Sequence, residues 1–211
     1  MKHSIVTALA LILALVLAAC GVRSVGAPPS DTPASARQAQ DEPAGGAANG
    51  LLAITPADIA VTVRGRQIAA PFPFAEFLAA GLTAAVDETE TLKPHSSFMP
   101  NLFADEAEDY VISPDYENED DQAVTLGEAQ ARCVRMACYA DVPQNVGVSI
   151  LGVSFGMHRA QVTDLLGRAK ESDAEGLRYD VTVAGNSDLS GSFTVTFTAD
   201  DLVDFVDLSV Y

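Results

Sequence analysis

The first fifty residues restrict what this chain can fold into more than any other feature. Lys2 and His3 precede an apolar run from Ile5 to Ala19. As a helix that run reaches only about 22 Å at ~1.5 Å per residue, short of the ~30 Å hydrocarbon core of a bilayer. Residues 1–19 therefore read as a signal peptide and not as a stable span. The next stretch, "GVRSVGAPPSDTPASARQAQDEPAGGAANG", is Gly, Ala, Pro, Ser and polar residues with almost nothing large and apolar to bury. Residues 20–50 are expected to be a disordered tether, which as a flexible coil reaches on the order of 30 Å. The core must come from Leu51 to Tyr211, long enough for a real one.

The junction between leader and tether is specific. Leu17, Ala18, Ala19 and Cys20 look like a bacterial lipobox, whose small residues admit the signal peptidase and whose cysteine takes a diacylglycerol. On this reading Cys20 becomes the first residue of the mature chain. Its acyl chains, at ~0.8 kcal/mol per buried methylene, hold the protein to a membrane. The expected location is the cell membrane or the outer membrane, with the folded part on the extracytoplasmic side. Gly21 stands where Asp is associated with inner-membrane retention in enteric bacteria, which in a Gram-negative host points to the outer membrane.

The formal charge of −17 excludes nucleic acid and anionic membrane surfaces as partners of the folded part. The acids are concentrated from Ala104 to Gln122, a stretch without Lys or Arg. Asp115, Glu117, Glu119 and Asp121 alternate as calcium ligands would, but the stretch lacks the sixth-position glycine and closing Glu of an EF-hand. A solvated acidic loop is expected, with calcium binding as the alternative.

Once Cys20 carries lipid, Cys133 and Cys138 remain as a pair. An exported protein favours a disulfide, yet residues five apart on an unbroken strand lie roughly 16 Å apart. A bond needs a turn or bulge between them, and free buried thiols are the other outcome. The histidines of the mature chain, His95 and His158, are isolated, so no metal site and no cofactor are expected.

Alternation of Ile59, Val61 and Val63 with Gly65 at the turn predicts a hairpin, and "FPFAEFLAAG" a short helix with Phe74, Phe77 and Leu78 inward, stopped at Gly81. Thr125 with Glu128 spells a capping box, but Val134, Met136 and Cys138 alternate, favouring a strand from about Ala131. In "GVSFGMHRAQVTDLLG", Gly156 opens a turn, Met157 can staple to Val162, His158 caps, Leu165 and Leu166 face inward, and Gly167 closes a helix. Three strands follow, from Leu177, Gly191 and Leu202. The expected fold is α+β: an antiparallel sheet with a helix packed on one face in residues 146–211, preceded in 51–145 by a hairpin, a short helix and the acidic loop.

Gly152-Val-Ser154-Phe-Gly156 also spells a nucleophile elbow. That device needs a parallel sheet and a histidine later than its serine and acid. Here a meander follows, and His158 is the last histidine, so no catalytic residue is expected and a hydrolase is the weakest alternative.

"GVSFGMHRAQVTDLLGRA" with "YDVTV", "FTVTF" and a final strand resembles the small lipoproteins of the outer-membrane barrel-assembly machine (the SmpA/OmlA type) and is similar to the beta-lactamase inhibitor protein fold. The matching positions are Gly156, Met157, Val162, Leu165 and Gly167, all structural; His158 departs from the usual capping Thr or Ser. The hairpin and short helix at 59–81 ahead of that module look like those of a broad group of bacterial lipoproteins. The resemblance implies a sheet with a helix against it and a role in protein interaction or envelope maintenance. The reading is a non-enzymatic, membrane-anchored interaction or scaffold module whose partners are the membrane, through Cys20, and an envelope or extracellular protein. A solute-binding lipoprotein is the alternative.

Overall fold

The computed structural model describes residues 49–99, 103–105, 109–138, 142 and 146–211. The signal peptide, Cys20 and the tether up to residue 48 lie outside the described residues, as do 106–108 of the acidic stretch. No helix among the described residues is long and apolar enough to cross a membrane.

Strands dominate. In chain order they are β1 (Leu51–Ile54), β2 (Ala60–Val63), β3 (Arg66–Ala69), β4 (Thr83–Ala84), β5 (Thr91–Leu92), β6 (Ser96–Phe98), β7 (Phe103–Asp105), β8 (Tyr110–Asn118) and β9 (Val124–Thr125). There follow β10 (Gln130–Cys138), β11 (Val148–Ile150), β12 (Val153–Ser154), β13 (Glu171–Ser172), β14 (Gly176–Val183), β15 (Asn186–Phe197) and β16 (Val203–Val210). Among the described residues two short α-helices, α1 (Phe74–Ala79) and α2 (Arg159–Leu166), interrupt them.

The large sheet has ten strands, in the order β1-β14-β15-β16-β10-β8-β7-β4, with β13 beside β14 and β6 beside β8. It is mixed, because β1 runs parallel to β14 and the other pairs are antiparallel. A second sheet of four strands has the order β12-β11-β2-β3.

This overturns the α+β expectation of a small antiparallel sheet carrying a helix. The meander β14-β15-β16 exists, but it forms the middle of a much wider sheet, and the protein is mainly β. The β10–β16 and β1–β14 pairs carry that sheet across the boundary drawn at 145/146. The physical reason lies in period two. Leu177, Tyr179, Val181 and Val183 of β14 are buried, as are Phe193, Val195 and Phe197 of β15 and Val206, Leu208 and Val210 of β16. Such rows make one apolar face that must be covered along its whole width, and two short helices cannot do it.

The acidic stretch is likewise corrected. Tyr110–Asn118 is a nine-residue strand, not a solvated loop. Tyr110, Ile112 and Tyr116 bury their rings and branches in the core while the acids alternate with them. The Tyr116 hydroxyl donates to the Phe72 carbonyl at 2.6 Å, which ties β8 to the segment leading into α1. There Phe74 and Phe77 meet Phe103 at ring separations of 4.9 and 4.3 Å. Leu78, expected inward, is 42% exposed, because a six-residue helix presents only Phe74 and Phe77 to the sheet. Thr125 and Glu128 do bond, Oγ1 to Oε2 at 2.9 Å, but they close a turn between β9 and β10 and start no helix.

Candidate functional site

The Gly-x-Ser-x-Gly stretch builds a turn. β11 and β12 pair Ile150 with Val153, so Leu151 and Gly152 form a two-residue loop with φ of 50° and 79°, the left-handed pair of a type I′ hairpin. Gly156 follows at φ 74°, and its N–H donates to the Val203 carbonyl at 3.0 Å. The Val203 N–H returns a bond to the Met157 carbonyl at 2.9 Å, fastening the turn to β16. The Ser154 N–H donates to Met157 Sδ at 3.2 Å, and the His158 N–H to Gln161 Oε1 at 2.7 Å. Val162 and Leu166 are buried, Leu165 is half-buried, and Gly167, at φ 82°, ends α2. Ser154 thus lies on an antiparallel hairpin. The other mature histidine, His95, on the exposed turn after β5, meets Asp121 of the bend between β8 and β9, Nε2 to Oδ1 3.0 Å.

The two cysteines lie on β10 with free thiols. Cys133 Sγ faces the Val210 carbonyl at 3.7 Å and Cys138 Sγ the Asp204 carbonyl at 3.4 Å. The disulfide left open by the sequence is not formed: the register shift of β10 falls at Arg132, ahead of both cysteines, and no turn shortens the strand between them. Burial pushes both thiols up from their ordinary pKa, which makes them poor nucleophiles.

The face of the large sheet opposite the core is polar and carries a cluster the sequence did not announce. Register places Ser113 and Asp115 of β8 opposite Arg135 and Cys133 of β10, and Arg135 opposite Asp207 of β16. Arg135 Nη2 reaches Asp207 Oδ2 at 3.3 Å. Burial pushes the Asp115 carboxyl up; Arg135 pulls it down and Asp207 pushes it up again. Ser113 Oγ, Asp115 Oδ1 and Arg135 Nε are buried without a hydrogen-bond partner among the described residues. Farther along the same face stand Arg178, Thr194 and Thr196, exposed or half-exposed. The cluster, one cation between two carboxylates, is largely buried, and the more accessible polar groups of this face are those around Arg178.

The proposed calcium ligands are not brought together. Asp115 is half-buried in β8, Asp121 is 97% exposed on a turn, and no group of His, Cys, Asp or Glu among the described residues is placed to hold a metal. Sequence reasoning also missed a cleft of about 250 Å³ between β1, β2, the Leu151–Gly152 turn and α2, lined by Leu52, Ile54, Ala60, Leu165 and Leu166 with Asp58 and Gln67.

Comparison with protein-family models, with curated proteins and with solved structures gave no match.

Proposed function

We propose that this chain is a membrane-tethered, extracytoplasmic, non-enzymatic interaction or scaffold module of the cell envelope, held by lipid on Cys20. The observation that carries the reading is the polar face of the large sheet. Across β14, β15, β16 and β10, each buried apolar residue alternates with one left at least partly exposed, such as Arg178, Thr194, Asp207 and Arg135. Among the described residues of these four strands, the face opposite the core is polar and partly exposed. A broad polar surface presented by rigid strands suits a protein partner. The lipobox at Leu17–Cys20, the tether and the resemblance to small envelope-assembly lipoproteins support the same reading. The charge of −17 favours a partner with basic contact residues.

The solute-binding alternative rests on the cleft beside β1. At about 250 Å³ it is smaller than the ~300–1,000 Å³ of sites that enclose a drug-sized ligand. It fits side chains better than a whole solute.

The reading is tested by placing the photo-crosslinker p-benzoylphenylalanine at Thr194 in the lipidated chain, in cells, with Cys20→Ser as the control. One dominant envelope protein attached to the parent and lost in the control is expected. An absence of adducts, or identical adducts in both chains, contradicts it.

A further inference from the structure

Among the described residues, one edge of the large sheet is unguarded. In the parallel ladder of β1 with β14, the Gly50 carbonyl accepts from the Asp180 N–H at 2.9 Å and the Ile54 carbonyl from the Ala184 N–H at 2.7 Å. Even-numbered residues of β1 therefore face β14, and Leu51 and Ala53 turn their N–H and C=O outward. Among the described residues none of these four groups has a partner.

Natural sheets blunt their edges by shortening, charging or covering them, and this protein does so elsewhere. β4, at the far end, and β12, at the end of the small sheet, are two residues long. β3 begins with Arg66, paired with Glu76 of α1. β1 reads Leu-Leu-Ala-Ile, with no charge, no proline and no bulge, and Leu51 is 44% exposed. The cleft of about 250 Å³ opens beside it, floored by Leu52, Ile54, Leu165 and Leu166.

We infer that β1 is a docking edge: an extended segment of the partner adds to it as a further strand, bonding to Leu51 and Ala53. Side chains at alternate positions of that segment enter the cleft. The bonding pattern selects a strand, the lining selects apolar residues, and Asp58 with the charge of −17 selects Lys or Arg flanks. The same charge disfavours a second copy of this chain as occupant. This inference rests on the interaction reading above and names where its partner binds.

The test uses the full lipidated chain with p-benzoylphenylalanine at Leu51. The crosslinked segment is sequenced, synthesised and titrated against the purified chain and Ala53→Pro. That substitution removes an outward N–H and no bond inside the sheet, so thermal unfolding should be nearly unchanged. The expected segment alternates apolar residues and carries a basic flank, and it binds Ala53→Pro about tenfold more weakly, as a lost main-chain bond and a clash imply. Should Ala53→Pro unfold, Leu51→Lys, at an exposed site, replaces it in the titration with the same expectation. A segment without alternation, adducts to a second copy or to the chain's own residues 41–48, or undiminished binding overturns the inference. Adducts from Thr194 but not from Leu51 overturn it while leaving the interaction reading intact. Adducts from neither position overturn both.

Discussion

Gly156 and Gly191 each resist a side chain, for different reasons. Gly156 holds φ 74° where its N–H meets Val203, so Gly156→Val should lower stability by more than about 1 kcal/mol. A Cβ on Gly191 would lie 1.8 Å from the Ser209 carbonyl oxygen, inside the β15–β16 ladder. Gly191→Ala should cost at least as much, read as a fall in unfolding temperature. Asp115 behaves oppositely. Its folded carboxyl is raised by burial, so the folded state holds its proton more tightly than the unfolded state. The ionised form costs stability above the folded pKa, and that cost fades as pH falls through it. Asp115→Asn should therefore stabilise the protein at neutral pH and lose its advantage in acid, checked by paired melts across pH. A gain independent of pH would contradict this origin. The structural role of Gly156 and Gly167 was legible in the sequence because glycine marks left-handed backbone locally. The Asp115–Arg135–Asp207 cluster was not, because its members come from three strands far apart in the chain.

At the scale of elements, period two was the legible signal wherever a strand keeps one phase. It gave the β2–β3 hairpin at Arg64–Gly65 and the three C-terminal strands. It was obscured where acids share a strand with core residues. In β8, Asp115 and Glu117 drew the reading toward a solvated loop while Ile112 and Tyr116 supplied a buried face. Bulges hid it elsewhere: the register shift at Arg132 makes Ala131 and Val134 the buried neighbours in β10. The same strand predicts the redox state of the protein. Cys133 and Cys138 should both alkylate under denaturing, non-reducing conditions, each adding one label by mass. An unlabelled pair would mean that β10 does not run straight between them.

At the scale of the molecule, the widest pairing joins distant sequence. Beside its meander neighbours, β16 pairs with β10 and β14 with β1, two contacts that no local pattern encodes. The α+β expectation failed for that reason: the meander was visible, but its neighbours were not. A fragment of residues 146–211 loses β1 and β10 from the two sides of its meander, so it should not fold alone. Circular dichroism of that fragment with native-like β content would contradict the continuous sheet.

The central claim is that a sheet-built contact surface is held at a membrane by Cys20, and intact mass of the membrane-extracted protein tests it most directly. The account predicts a mature chain beginning at Cys20 and carrying diacylglycerol, absent from the membrane fraction of cells making Cys20→Ser. Normal membrane retention of the parent chain with an unmodified mass would contradict it.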